Sequence, residues 1–285
     1  MARRGRQIEQ TRRRADRTAR LASPWVEGIA RAGYVAKSVV YATIGVLAMQ
    51  ESLGLGGTTT DPSGAVRSMG SMGSQSVGNV LIVALAIGLL GYALWKLVQG
   101  IMDPDEKGSD AHGILRRVGY IGSGLIYGVL AFSAAQSVFG AEDTSEDLMA
   151  ASAMAYQPPL GRILVGLLGL IVIGVGLYQL YAAYEAKFRE DLSLDRMSDT
   201  EERWITLAGR AGTAARALAI GVAGAFVVLA AYQADASEVR GLGGALETFQ
   251  HQPLGSFMLG VVAAGLITYG AFMLLVARYR RIDSA

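Results

Sequence analysis

Six stretches of this chain are too long and too apolar to settle in water, and they constrain the fold more than any other feature. They run over 34–53, 77–101, 118–139, 160–183, 211–234 and 254–277. About 20 apolar residues cross the hydrocarbon of a bilayer as a helix. Strands fit poorly, because the runs lack two-residue alternation and are rich in Ala, Leu and Gly. In lipid a backbone must satisfy its own hydrogen bonds, which makes helix the default. The expected fold class is therefore all-α, an integral membrane bundle of six helices. The first stretch is too long for a secretory signal peptide and lacks a small-residue cleavage site, so it reads as an uncleaved helix.

The basic residues orient the bundle. Of the 26 Lys and Arg, only Arg67, Arg162 and Arg240 fall in the first, third and fifth connections. The rest lie in the N-terminal tail, the second and fourth connections, the C-terminus and the helix ends beside them. Lys and Arg concentrate on the cytoplasmic side of a membrane, so both termini are expected in the cytoplasm.

Composition then excludes chemistry. There is no Cys, so disulfides, thiolate metal sites and Cys nucleophiles are ruled out. The two histidines, His112 and His251, fall on opposite sides of the membrane by this threading and cannot share a site. No acid or base stands deep in a span. No catalytic set, metal or cofactor is expected, and the chain does not read as an enzyme. Its 37 Gly against 6 Pro suit closely approaching membrane helices.

The six spans form three tandem copies of a two-helix unit. Arg31, Gly33, Tyr34, Tyr41 and Gln50 recur as Arg117, Gly119, Tyr120, Tyr127 and Gln136. Arg210, Gly212 and Arg216 repeat Arg31, Gly33 and Lys37, with Thr213 in place of the tyrosine. In the second helix of each unit, Gly88, Tyr92 and Trp95 match Gly265, Tyr269 and Phe272, while Gly91 and Trp95 match Gly174 and Tyr178. The organisation is a basic tail over 1–24 and units over 25–104, 113–192 and 203–282.

This arrangement resembles the domain of unknown function 1206 family of bacterial membrane proteins. The likeness is carried by Ala30-Arg31-Ala32-Gly33-Tyr34-Val35-Ala36-Lys37, Gly88-Leu89-Leu90-Gly91-Tyr92-Ala93-Leu94-Trp95, Gly209-Arg210-Ala211-Gly212 and Ala277-Arg278-Tyr279-Arg280-Arg281-Ile282. It extends over about 25–282. The resemblance implies three such units in one chain of a bacterial cell membrane. It implies no activity, substrate or catalytic residue.

Helical spacing places Tyr34, Lys37 and Tyr41 on one face of the first span, Tyr120 and Tyr127 on that of the third, and Arg216 on that of the fifth. Tyr92 and Trp95 share a face with Gln99, and Tyr269 stands at the Tyr92 position of the last unit. A stripe mixing small, aromatic and polar residues points into a bundle and leaves Leu, Val and Ile for lipid. These nine residues are the candidate bundle lining. Helix packing, with tyrosine hydroxyls bonded to neighbours, is the simpler account; a polar path or pocket between the units is the other. Lys37 and Arg216 stand one to two turns inside a span, where a charge costs up to about 3 kcal/mol. Both are near cytoplasmic ends, so reaching back to the headgroups is the first expectation, and an anion or lipid-headgroup site the second. Lys96 is a weaker case of the same kind. Gly124-Leu125-Ile126-Tyr127-Gly128 reads as a packing motif within the chain.

The tail holds eight Arg before residue 21 against Glu9 and Asp16. It orients the chain and attracts anionic lipid; nucleic acid is not expected as a partner. The segment Asp103–Asp110 fails the spacing of a calcium loop, because Lys107 and Ile114 stand where acceptors are needed. Glu142, Asp143, Glu146 and Asp147 make an acidic outside loop. Short interfacial helices are expected from Gly64 and Gly244. The favoured function class is a structural, interaction or regulatory component of the membrane with an unidentified protein partner. The alternative is a channel or small-solute transporter with a central path, which would need a polar cavity lined by Tyr41, Tyr127 and Gln50.

Overall fold

A computed structural model describes residues 2–70, 75–103, 111–138, 159–194, 197–233, 242–250 and 254–280, with side chains from residue 27 onward. The acidic loop at Glu142–Asp147, most of the 103–110 connection, His251 and the tail side chains lie outside the described residues, as does the side chain of His112.

The chain is all-α. Six helices are long and apolar enough to cross a membrane: within α1 (Ala2–Ser52), α3 (Gln75–Met102), α4 (Ala111–Val138), α5 (Pro159–Tyr184), α6 (Asp199–Gln233) and α8 (Gly255–Tyr279). Two short helices, α2 (Pro62–Gly70) and α7 (Leu242–Gln250), precede the returning spans of the first and third units. Local chemistry marks the starts. Asp61 accepts from the Gly64 amide at 2.7 Å with Pro62 opening α2, and Ser198 and Glu201 form a reciprocal capping box ahead of α6.

The helices pack in the order α4, α3, α1, α8, α6, α5, a ring left open between α4 and α5. The three interfaces between units are built alike. A Cβ on Gly270 of α8 would lie 2.9 Å from the Ser38 carbonyl oxygen of α1. One on Gly124 of α4 would lie 3.1 Å from that of Ala93 in α3, and one on Gly176 of α5 3.0 Å from that of Ala217 in α6. These pairs occupy equivalent repeat positions, and in each at least one partner must be glycine for the backbones to approach. Ser38 Oγ also donates to the Gly270 carbonyl at 2.7 Å. The motif at Gly124 thus packs within the chain, against Leu97 and Ala93 of α3.

Arginine recurs at two of these interfaces at one end of the ring. Arg31 donates to the carbonyls of Ala277 and Arg278 (3.1 and 2.9 Å), which end α8. Arg117 donates to those of Gly100 and Ile101 (2.9 and 2.8 Å), which end α3. Each guanidinium satisfies carbonyls left open by a helix C-terminus and opposes the negative end of its dipole. We call this end of the ring the basic end.

The contacts within units break the symmetry. In the first unit α1 lies on α3, and a Cβ on Gly33 would sit 2.5 Å from the Tyr92 nitrogen. In the third unit α6 lies on α8, and a Cβ on Gly212 would sit 2.5 Å from the Tyr269 Cα. In the second unit α4 and α5 make few backbone approaches, and Arg116 of α4 reaches across to hydrogen-bond Tyr178 of α5. Gly119, the counterpart of Gly33, has nothing within 4 Å of its Cβ position, and neither does Gly174. Val175, at the Tyr92 position, is 46% exposed, whereas Tyr92 and Tyr269 are 3% and 4% exposed. The ring is therefore open inside its middle unit. Of the three tandem units, two are closed and the middle one is splayed.

Candidate functional site

The inward faces converge on a cluster of cations and tyrosines. Lys37 is only 5% exposed. Its ammonium donates to the Tyr92 hydroxyl at 2.9 Å and lies 4.7, 5.1 and 5.6 Å from the ring centres of Tyr92, Tyr127 and Tyr269. The sequence expectation that Lys37 reaches out to the headgroups is thereby corrected. Three ring faces on α3, α4 and α8 surround the cation, and desolvated contacts of this kind contribute up to about 2 kcal/mol each.

Arg216 is half-buried and also turns inward. Its Nε donates to the Tyr41 hydroxyl at 2.8 Å, its Nη1 to Gln179 Oε1, and its guanidinium lies over the rings of Tyr41 and Tyr269. Tyr127 donates to the Tyr41 hydroxyl at 3.3 Å. One hydrogen-bonded chain thus links α4, α1, α6 and α5 across the centre. Edge-to-face pairs tie the tyrosines together: Tyr34 with Tyr92 at 5.2 Å, Tyr92 with Tyr127 at 4.7 Å, and Tyr41 with Tyr269 at 4.9 Å.

Lys96, 7% exposed, donates to Gln99 Oε1 at 2.8 Å and lies 4.3 Å from the centre of the Tyr120 ring. Through it the half-buried Tyr120 joins the cluster. Trp95 is buried on the same helix, its indole nitrogen without an acceptor among the described residues. The nine sequence candidates thus lie on the inner faces of the ring. Gln50 does not; it is exposed.

At the basic end this cluster opens into a cavity of about 190 Å³. Lys37, Lys96 and Arg280 bring positive charge to its wall, Asp191 the one carboxylate among the described lining residues, and Tyr34, Tyr92 and Tyr269 aromatic faces. A short 3₁₀ helix, Lys187–Asp191, folds over it after α5 turns at Ala186, whose φ is +52°. Phe188 packs edge-on to Phe272 at 4.8 Å. The Ser193 amide donates to the Tyr279 carbonyl at 2.9 Å, and Arg280 meets Asp191 at 3.5 Å. Arg189 pairs with Glu202 at the start of α6, fixing the cover to the third unit.

Sequence reasoning did not single out Gln179, Phe188, Asp191 or Arg280 for this site. Gln179 was findable, because it occupies the Lys96 position of the second unit. Phe188 and Asp191 reach the cavity through a chain reversal that no periodicity encodes, and Arg280 reaches it from just past the end of α8.

The family profile described as Domain of Unknown Function (DUF1206) matches the chain three times, over 32–103, 118–186 and 211–280. The chain is similar to the uncharacterised protein YxxB of Bacillus subtilis (strain 168), with 32% identity over 259 residues, covering 91% of this chain and 93% of that protein. No solved structure matches. Each profile match spans one two-helix unit, including the residues that bring Lys37, Tyr92, Tyr127, Arg216 and Tyr269 together. The chain belongs to the DUF1206 family, as three tandem copies of its repeat.

Proposed function

We propose that this protein is an interaction component of the bacterial cytoplasmic membrane, with both ends in the cytoplasm, that receives an apolar transmembrane helix between α4 and α5. One observation carries this reading: the middle unit keeps the small residues of a helix interface but, among the described residues, has no helix against them. Gly119, Gly122 and Gly174 face open space, while their relatives Gly33, Gly212 and Gly91 are packed. Exposed Val175 on α5 adds an apolar rim. Without a hydrophobic driving force in lipid, small residues that let backbones approach are what a partner helix uses.

The same geometry disfavours conduction. The cavity lining includes none of Tyr41, Tyr127 and Gln50. Instead the Tyr41, Tyr127, Arg216 and Gln179 chain crosses the centre where a path would run. The surplus of Lys and Arg at the basic end supports a cytoplasmic position for that end.

The test is position-specific photocrosslinking in intact cells. A crosslinker at 119 or 174 should trap a defined protein adduct, and one at the lipid-facing position 126 should not. Equal adducts at all three positions, or solute flux through the purified protein in liposomes, would remove this proposal.

A further inference from the structure

The interaction role does not account for the cavity at the basic end. Two ammonium groups, those of Lys37 and Lys96, are more than nine-tenths buried on its wall, and Arg280 adds a third cation. Asp191 is the only carboxylate among the described lining residues, and it sits 3.5 Å from Arg280. The described wall therefore carries more positive than negative charge, with two of its cations largely buried. A buried charge is costly unless it is paired. Tyrosine faces offset part of that cost for Lys37, but a ring quadrupole is a weak counter-ion.

We propose that this cavity binds a phosphate group, with Lys37 and Lys96 as the primary charge partners and Arg280 as a third, exchangeable one. Each ammonium has three donors, and the described acceptor of Lys37 is the single Tyr92 hydroxyl. A guanidinium presents a fork that matches phosphate oxygens, so a ligand would compete with Asp191 for Arg280. The cavity of about 190 Å³ equals the liquid volume of roughly six waters, ample for a phosphate and its substituent. The 187–194 segment covers part of the site through Phe188, Leu192 and the Arg280–Asp191 contact. Phosphate chemistry reaches such a place from two sources: the headgroup of a phospholipid in the adjoining leaflet, or a soluble phosphate ester.

The experiment uses the full chain in maltoside micelles, which contain no phosphate. Melting temperature and isothermal titration are followed with dioctanoyl phosphatidic acid in one arm, and with inorganic phosphate and glycerol 3-phosphate in the other. Phosphatidic acid should stabilise the wild type. Lys37→Met and Lys96→Met should each weaken binding about tenfold or more, the fold-change expected for a charge-assisted hydrogen bond. Lys37→Arg should stay within a few-fold of wild type. Because each variant is compared with itself without ligand, a change in its own stability does not affect the result. Saturable binding of the soluble phosphates with the same variant dependence assigns the soluble source; binding of the lipid alone assigns the headgroup. The proposal is overturned if none of the probes binds. It is equally overturned if binding survives both methionine variants unchanged, since the arginine-rich tail would then be the receptor.

Discussion

Substituting alanine for one repeated glycine in each unit tests the open middle of the ring. Gly33, Gly119 and Gly212 are equivalent in sequence and differ in surroundings. At Gly33 a methyl would enter 2.5 Å from the Tyr92 nitrogen and 2.6 Å from its Cα, which are backbone atoms of α3 and cannot rotate away. At Gly212 it would enter 2.5 Å from the Tyr269 Cα on α8. Forcing a methyl into packed backbone typically costs about 1–3 kcal/mol. At Gly119 nothing stands within 4 Å, so the packing term vanishes. What remains is the helix preference of Ala over Gly, a gain of about 0.5–1 kcal/mol. Gly33→Ala and Gly212→Ala should lower the melting temperature in detergent, and Gly119→Ala should raise it slightly. Because the helix preference acts at all three positions, the spread between the two classes should be the packing term, about 1–3 kcal/mol. If Gly119→Ala is as damaging as Gly33→Ala, α4 lies against α5 as in the other units, and the open ring is wrong.

Other consequences can be measured with the same purified protein. Tyr92→Phe removes the hydroxyl that accepts from Lys37 and should destabilise by about 1.5–3 kcal/mol; in a double-mutant cycle with Lys37→Met most of that loss should disappear. Arg31→Ala and Arg117→Ala uncap α8 and α3 and should each cost about 1 kcal/mol in thermal unfolding, whereas exposed Arg210, their repeat counterpart, should tolerate alanine. In intact cells a tag fused after Ala285 should resist external protease, and cleavage would reverse the proposed orientation.

Much of the fold was legible in the chain because membrane helices are written locally. Length, apolarity and the paucity of proline specify six spans without reference to partners, and the recurrence of Arg31-x-Gly33 as Arg117-x-Gly119 and Arg210-x-Gly212 exposes the three units. The inward face was legible for the same reason, since Tyr34, Lys37 and Tyr41 follow helical spacing. Lys37 was misjudged because sequence gives depth along a helix but not what stands opposite. A lysine near a span end can reach water or turn inward, and only the rings of Tyr92, Tyr127 and Tyr269, brought in by three other helices, decide between these.

By itself the sequence determined which segments are helices, which repeat, and which residues share a face, since each depends on interactions within a few turns. The tertiary structure alone decided that the middle unit stands open and that residues 187–194 cover part of a basic cavity. Gly119 reads like Gly33 letter for letter, yet whether a neighbouring backbone fills the space beside it depends on the packing of the whole ring.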